Sequence, residues 1–244
     1  MGAQWKQAGR VANAAKRGAL IGKIVKEITV AAKVGDPNPE NNPRLEAAVE
    51  LARKSSVPRE TIERALKKGA GLLDEKVTYE TVLYEGFAPC KVPVIVECLT
   101  DNKNRTASDI RVFFKRGHLG SIGSVAWMFD HLGVVEATHG DRTRDIEGAA
   151  IEAGAQNVEP LPASDGDEEE VEGRIGARFF TLPTDLNAVA KALSADGWSI
   201  TVSEMRYQAK NLVEVPEGQR AEVVEFLNEV DDHDDVHRVY AALK

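Results

Sequence analysis

The chain has 244 residues, of which 43% are hydrophobic and 29% are charged, and this composition excludes an intrinsically disordered protein. No run approaches about 18 consecutive apolar residues, and the first ten residues lack the apolar core and cleavage site of a secretory signal. We therefore expect no membrane span and a cytoplasmic protein. The two cysteines, Cys90 and Cys98, are too few for a disulfide framework and lack zinc-site spacing, so we expect buried thiols.

The net charge of -8 is unevenly distributed along the chain. Residues 1–76 carry 15 Lys and Arg against 9 Asp and Glu, and the first 33 residues alone carry 7 against 1. Residues 133–204 carry 5 basic residues against 15 acidic ones. A basic end beside an acidic body predicts that the N-terminal region meets a polyanion.

The first third of the chain has the apolar periodicity of helices. An apolar stripe repeats at steps of about four residues from Leu20 to Ala32. Four lysines cluster on the side opposite this stripe: Lys16, Lys23, Lys26 and Lys33. Three glycines, at positions 9, 18 and 22, predict that the start of this helix is frayed or broken when the protein is free.

Helix-breaking residues at 36–39 separate the first predicted helix from two shorter ones. The second helix is predicted to start near Pro43 with Asn42 as its N-cap. The third is predicted to start with Pro58 in its first turn and to stop at Gly69. Together the three helices predict a small basic domain of residues 1–76.

From position 78 onward the pattern changes to strands that alternate with helices. Residues 92–99, 105–116 and 125–129 predict one β-α-β unit, and residues 212–215, 217–230 and 236–240 predict another. Segments 133–138, 142–153, 158–161, 178–182, 186–193 and 199–202 repeat this order twice between them. The prediction is an α+β protein of three domains, a helical N-terminal domain and two nested ferredoxin-like (split β-α-β) domains. The middle domain combines residues 77–132 with 205–244, and the acidic domain of residues 133–204 is inserted into it. Residues 165–172 are predicted to form a hairpin or loop of solvated charge.

Four polar residues stand where a predicted strand leads into a helix: Asn102, Lys103, Asn104 and Arg105. Two interpretations remain open here. Asn104 or Thr106 caps the helix, or the four residues present hydrogen-bond donors to phosphates at the helix N-terminus. The glycine-rich stretch 117–124 follows a helix and precedes a strand, which is the wrong order for a phosphate-binding fingerprint and predicts a flexible loop.

The spacing of ionisable side chains indicates neither catalysis nor metal binding. The acidic segment 231–237 lacks the glycine and the twelfth-position glutamate of an EF-hand and predicts a turn. The five histidines fit no nucleophile elbow and no zinc motif. We therefore expect no catalytic residues, no metal, no cofactor and no small-molecule substrate, and we expect that the protein is not an enzyme.

Several phrases of the sequence resemble the YebC family, whose eukaryotic relative is the mitochondrial translational activator of cytochrome oxidase subunit one. They lie at residues 16–18, 26–32, 42–45, 62–71, 84–86, 94–106, 123–127 and 232–236, and so cover essentially the whole chain. Two places depart from the family pattern. The usual His-Ser-Lys-Trp opening is Gly2-Ala3-Gln4-Trp5-Lys6 here, and a Gly-Pro-Gly-Gly turn is Ala88-Pro89-Cys90-Lys91.

The resemblance implies the same three domains, no cofactor, and a role described in two ways. One is a DNA-binding transcriptional regulator, and the other is a ribosome-associated factor that helps translation through stretches such as consecutive prolines. No helix-turn-helix or zinc-finger spacing is visible in the sequence, whereas a basic helix beside an acidic body favours phosphate-dominated binding to structured RNA.

We therefore expect a nucleic-acid-binding regulator of gene expression that associates with the ribosome, with rRNA or tRNA as partner and duplex DNA as the alternative. The contact is expected on the basic N-terminal domain and on the polar strand-to-helix segment. The expected contact residues are Lys6, Arg10, Lys16, Arg17, Lys23, Lys26, Lys33, Lys67, Lys68, Asn102, Lys103, Asn104 and Arg105.

Overall fold

The computed structural model describes residues 4–73, 79–161 and 174–244, with side chains described from Arg17 onward. The acidic run predicted as a solvated loop at 165–172 lies outside the described residues.

The described helices and strands alternate along most of the chain. The helices are α1 Gln4–Val34, α2 Pro43–Lys54, α3 Arg59–Gly69, α4 Lys103–Phe113, α5 Ile146–Ala153, α6 Leu186–Ala195 and α7 Glu217–Asp231. The strands are β1 Glu80–Phe87, β2 Pro93–Thr100, β3 His118–Leu119, β4 Phe129–His139, β5 Asn157–Pro160, β6 Ile175–Thr181, β7 Ser199–Ala209 and β8 Val236–Ala241. Short 3-10 helices are present at Pro39–Asn41, Pro89–Lys91 and Ala126–Met128.

The three N-terminal helices pack around one apolar core, in which Ile28, Leu45 and Ala52 are fully buried. The Asn42 side chain caps α2 by accepting a hydrogen bond from the Leu45 amide at 3.2 Å, as the sequence predicts. A side chain at Gly69 would come within 2.4 Å of a backbone oxygen of α1, so this glycine allows α1 and α3 to approach closely. Helix α1 continues from Gln4 to Val34 through all three glycines, so it has no break at these positions. Fraying of its start in the free protein stays a prediction.

The middle domain has a four-stranded sheet in the order β3-β1-β2-β8, with antiparallel neighbours. Helices α4 and α7 pack on one face, where Val96, Ile110 and Phe226 are fully buried. Two predicted strands are wrong. Residues 125–129 form a 3-10 helix that leads into β4, and residues 212–215 contribute only an isolated bridge to residue 243. In their place, β1 pairs along its whole length with β2.

The inserted domain follows the order β4-α5-β5-β6-α6-β7, and its strands are arranged as β5-β6-β4-β7. This is the β-α-β-β-α-β order of a ferredoxin-like fold, and all neighbouring strands are antiparallel. Phe179 and Leu193 are fully buried between the sheet and its two helices. An α+β fold with a helical domain and two sheet domains is thus confirmed. Strands β4 and β7 extend beyond residues 133–204, and the proposed domain boundaries stay a prediction.

Candidate nucleic-acid interface

The predicted contact residues Lys26 and Arg105 come together at one buried carboxylate, that of Asp235. Lys26 Nζ lies 2.9 Å from Asp235 Oδ1, and Arg105 Nη2 lies 2.9 Å from Oδ2. The hydroxyls of Thr106 and Thr100 donate to Oδ2 at 2.8 and 3.2 Å. Burial alone would raise the pKa of Asp235, but hydrogen bonds from Arg105, Lys26 and Thr106 lower it well below its usual range. The cluster joins α1 to the middle domain.

Lys23 makes a second contact between the same two parts of the chain. Its Nζ donates to the backbone oxygen of Asp231 and lies 3.7 Å from the Asp231 carboxylate. The side chains of Lys23 and Lys26 retain only 18% and 17% of their exposure. The predicted lysine face opposite the apolar stripe is therefore not a uniformly solvated surface, because these two members hold α1 against the end of α7.

The exposed cations gather a short distance away, where α1, α3 and α4 meet around Tyr79 and Glu80. Lys68 Nζ lies 5.2 Å from the centre of the Tyr79 ring, and Lys26 Nζ lies 5.6 Å from it. Lys103 pairs with Glu80 and, together with Lys33, lowers the pKa of that carboxyl group. We call this group the basic surface; it consists of Lys33, Lys68, Lys103 and Arg105, together with the exposed Lys67 next to Lys68 at the end of α3.

The remaining predicted contact residues have other positions. The Asn102 side chain caps α4 by accepting from the Arg105 amide at 3.1 Å, whereas the capping interpretation of the sequence named Asn104 or Thr106. Asn104 is exposed in the first turn of α4, and Arg17 is exposed on α1. The side chains of Lys6, Arg10 and Lys16 lie outside the described residues.

A cleft of about 760 Å³ runs between α1 and the middle domain. One wall contains Gly18 and Gly22, above which a Cβ atom would meet nothing within 4 Å. The charged lining residues are Lys26, Arg105, Asp101, Asp109, Asp234 and Asp235. Because carboxylates outnumber cations in this lining, the cleft itself disfavours a phosphate, and the basic surface at its edge is the more suitable contact.

A buried ion-pair network connects all three domains through residues that lie far apart in the sequence. The Glu27 carboxylate of α1 accepts from Arg44 of α2 at 2.7 and 3.1 Å, and His237 Nε2 of β8 lies 3.1 Å from it. Burial alone would raise the pKa of Glu27, but the nearby His237 imidazole and the Arg44 guanidinium outweigh burial and lower the pKa strongly. Next to His237 on β8, Arg238 pairs with Glu204 of β7.

Comparison with known proteins gives the same three-part organisation. Residues 2–72 match the TACO1/YebC protein N-terminal domain, and residues 79–243 match the TACO1/YebC second and third domain. The chain belongs to the TACO1/YebC family. A probable transcriptional regulatory protein of Pseudomonas syringae pv. tomato is 49% identical over 100% of this chain and 99% of its own length. One from Bdellovibrio bacteriovorus is 48% identical over 100% of both chains. The crystal structure of the conserved hypothetical protein Aq1575 from Aquifex aeolicus matches with a TM-score of 0.74 and 36% identity, covering 94% of this chain and 90% of that one.

The turn at 88–91 shows why the family pattern has glycine where this chain has none. Cys90 and Lys91 both adopt the left-handed conformation, with φ of 61° and 58°. Side chains rarely adopt this conformation, whereas glycine does so without strain. The turn also exposes Cys90, so the prediction of two buried thiols is wrong for this residue. Cys98 is buried, and burial raises the pKa of its thiol to about 12.

Two kinds of feature, a metal-binding cluster and a membrane-spanning helix, are not found in the part of the TACO1/YebC chain that the structure describes. Within residues 4–73, 79–161 and 174–244, no group of three or more His, Cys, Asp or Glu side chains is arranged to hold a metal ion. No helix in those same ranges combines the length and the apolar character of a membrane span.

Proposed function

We propose that this TACO1/YebC protein is a nucleic-acid-binding regulator of gene expression, not an enzyme, and that it contacts structured RNA on the ribosome. The observation that carries the proposal is the basic surface, where exposed cations from three helices meet around Tyr79 and Glu80. The relatives named probable transcriptional regulatory proteins support a regulatory role that involves nucleic acid.

Three cations of the basic surface, Lys33, Lys67 and Lys103, remain available to a phosphate. The Lys103–Glu80 pair is exposed on both sides, with 58% and 54% of the two side chains accessible. Exposed ion pairs contribute about 0–1 kcal/mol, so a phosphate group competes effectively with Glu80 for Lys103. Lys33 and Lys67 are exposed and have no ion pair with another residue in the described ranges. Recognition through such cations depends on charge and shape, which suits a folded RNA.

Duplex DNA is the alternative partner, and one feature favours it. Contrary to the expectation from the sequence, helices α2 and α3 are separated by four residues, which is the connection length of a helix-turn-helix. However, the exposed side of α3 carries Glu60 and Glu63 as well as its basic residues, and Glu63 pairs with Arg59. Carboxylates on a helix that enters the major groove would face the phosphate backbone, so we favour RNA.

The decisive experiment neutralises exposed cations that do not join the domains. The triple variant Lys33→Gln, Lys67→Gln, Lys103→Gln removes three exposed members of the basic surface, keeps residues of high helix propensity and leaves Lys23 and Lys26 in place. The matched control, Arg142→Gln, Arg174→Gln, Lys191→Gln, removes three equally exposed charges from the inserted domain. Each variant is compared with the parent by thermal melting, by sedimentation with ribosomes through sucrose, and by titration with a structured RNA and with duplex DNA of equal length.

We expect the test variant to melt like the parent and to lose ribosome association, while the control retains it. The slope of log affinity against log salt should fall by about 0.7–0.9 for each phosphate contact removed. Stronger binding to the duplex than to the RNA, without ribosome association, would favour the DNA alternative. If parent and test variant bind with equal affinity and equal salt slope, the basic surface is not the site.

A further inference from the structure

The loop between β3 and β4 displays two large apolar side chains to solvent. Ile122 is 93% exposed and Trp127 is 66% exposed. Tryptophan is usually well buried in folded proteins, so a tryptophan and an isoleucine exposed on one short loop need a reason. The glycine-rich part of this loop is the stretch that the sequence predicts to be flexible.

A buried carboxylate fixes the backbone of this loop. Glu85 is 7% exposed and accepts hydrogen bonds from the amides of Gly123, Val125 and Ala126 at 2.7, 2.9 and 2.8 Å. Burial alone would raise the pKa of Glu85, but the three amide donors outweigh burial and lower the pKa below its usual value. The carboxylate therefore stays charged at neutral pH. The Trp127 indole also donates to the Ser124 backbone oxygen at 3.1 Å. The two exposed side chains are thus held on a defined framework.

The surroundings of the loop suit a polyanion. The chain contains 39 Asp and Glu, yet residues 110–129 contain none, and only residues 1–26 form a longer stretch without them. The same stretch contains Arg111, Lys115 and His118, and also Arg116, which pairs with Glu225 and Glu229 of α7. The nearest buried carboxylate, that of Glu85, is already engaged by backbone amides. A phosphate backbone can therefore approach the loop without meeting a carboxylate from this segment.

We infer that the loop tip is a stacking site for an unpaired nucleobase, with the Trp127 indole as the platform and Ile122 as an apolar neighbour. The inference rests on the proposed nucleic-acid function and specifies its ligand as a single-stranded segment with an unpaired base. Every base has an aromatic face, so stacking on an indole tolerates any sequence but requires a base that is not already paired. The loop and the basic surface lie at opposite ends of β1, where Glu85 and Glu80 are about 17 Å apart at the usual strand rise.

The test uses the full chain and a 20-nucleotide single-stranded RNA, with the same sequence as a perfect duplex for comparison. All variants carry Trp5→Phe, so that fluorescence reports Trp127 and Trp198, of which Trp198 is only 2% exposed. Affinities of all variants are measured by gel-shift titration of labelled RNA, which does not depend on a tryptophan. The variants are Trp127→Ala, Trp127→Phe, which keeps an aromatic ring, and the control Ile151→Ala. Ile151 is 79% exposed on α5 of the acidic inserted domain.

We expect the single strand to quench the fluorescence and the duplex to quench it less. Trp127→Ala should weaken single-strand binding at least about five-fold, the lower end of the effect of one stacked base. Trp127→Phe should retain most of the affinity, and Ile151→Ala should bind like its parent. All variants should melt alike, because the Trp127 and Ile151 side chains are mostly exposed and every variant carries the same Trp5→Phe change.

Three results would overturn the inference, and they separate it from the proposed function. If Trp127→Ala binds the single strand as its parent does, no base stacks on Trp127, even where neutralising the basic surface still abolishes binding. If Trp127→Ala loses ribosome association in the sucrose gradient but binds RNA with the affinity of its parent, the loop tip contacts a protein partner and not a base. If the parent binds no nucleic acid, both the stacking site and the proposed function fail.

Discussion

Replacing Asp235 by alanine tests whether one carboxylate joins the N-terminal helix to the middle domain. The substitution removes the acceptor shared by Lys26, Arg105, Thr106 and Thr100, and leaves the ammonium of a largely buried Lys26 without its partner. Breaking a buried ion pair from one side costs about 3–5 kcal/mol. Arg105 contributes little to this loss because half of its side chain is exposed and Asp101 remains 3.0 Å away.

We therefore expect Asp235→Ala to reduce the free energy of unfolding at pH 7 by about 3–5 kcal/mol. For a chain of this size each kcal/mol lowers the melting temperature by about 2–4 °C, and both quantities are measurable by calorimetry and urea titration. Combining Asp235→Ala with Lys26→Met should cost less than the sum of the single changes, because the second removes the charge that the first leaves unpaired.

The pH dependence gives an independent check. Because the folded state lowers the pKa of Asp235, its carboxylate stabilises the fold above the ordinary aspartate pKa of about 3.9. This stabilisation is lost as the pH falls below that value, so parent and variant should converge in acid. Asp234→Ala is the control, since the Asp234 side chain is exposed and only its backbone oxygen accepts from Lys26. A loss below about 1 kcal/mol at pH 7, or a difference that is the same at pH 7 and pH 3, would refute this account of the cluster.

Two further predictions use the ion-pair network and the strained turn. Glu27→Gln should destabilise the protein by about 3–5 kcal/mol at pH 7, because it leaves the charge of Arg44 without a partner. The difference in unfolding free energy between parent and variant should decrease below about pH 4. The lowered pKa of Glu27 stabilises the folded state only above the ordinary pKa of the unfolded chain. A difference in urea unfolding that does not depend on pH would contradict this. The double variant Cys90→Gly, Lys91→Gly should raise the free energy of unfolding by about 1 kcal/mol. Glycine removes the backbone strain of two left-handed residues, and this gain exceeds the entropy cost of glycine in the unfolded chain. An unchanged or lower melting temperature would contradict this prediction.

Local chemistry in the sequence was sufficient to predict most of the elements. Asn42 followed by Pro43 predicts the start of α2 because the cap and the fixed proline φ act within one turn. The alternating β and α patterns predict the inserted domain for the same reason, since each element carries its own periodicity. The apolar run 125–129 predicts a strand because its end residues, Val125 and Phe129, are buried as strand residues would be. The backbone before Phe129 instead forms a tight turn, because the Glu85 carboxylate binds the amides of Val125 and Ala126.

The arrangement of the candidate site could not be predicted from the sequence. A helical wheel places Lys23 and Lys26 on one polar face but contains no information about Asp231 and Asp235, which lie 208 and 209 residues further along the chain. Likewise, three separate basic segments become one surface only because Tyr79 and Glu80 lie between them in the fold. The cleft and the three-domain network depend on the same long-range packing.

The two proposed contacts should contribute independently to binding. The basic surface and the loop tip share no residue. Glu80 contacts the basic surface and Glu85 contacts the loop, and these two residues are about 17 Å apart along β1. Changes separated by more than about 7–10 Å, without common partners, usually add to within about 0.3–0.5 kcal/mol. If one nucleic-acid strand spans both contacts, combining Trp127→Ala with the three glutamine substitutions should reduce the binding free energy by the sum of the separate losses. If the two contacts serve different ligands, the loss of affinity for the single strand would come from one set of substitutions only, and the single-strand titration of the combined variant distinguishes these outcomes.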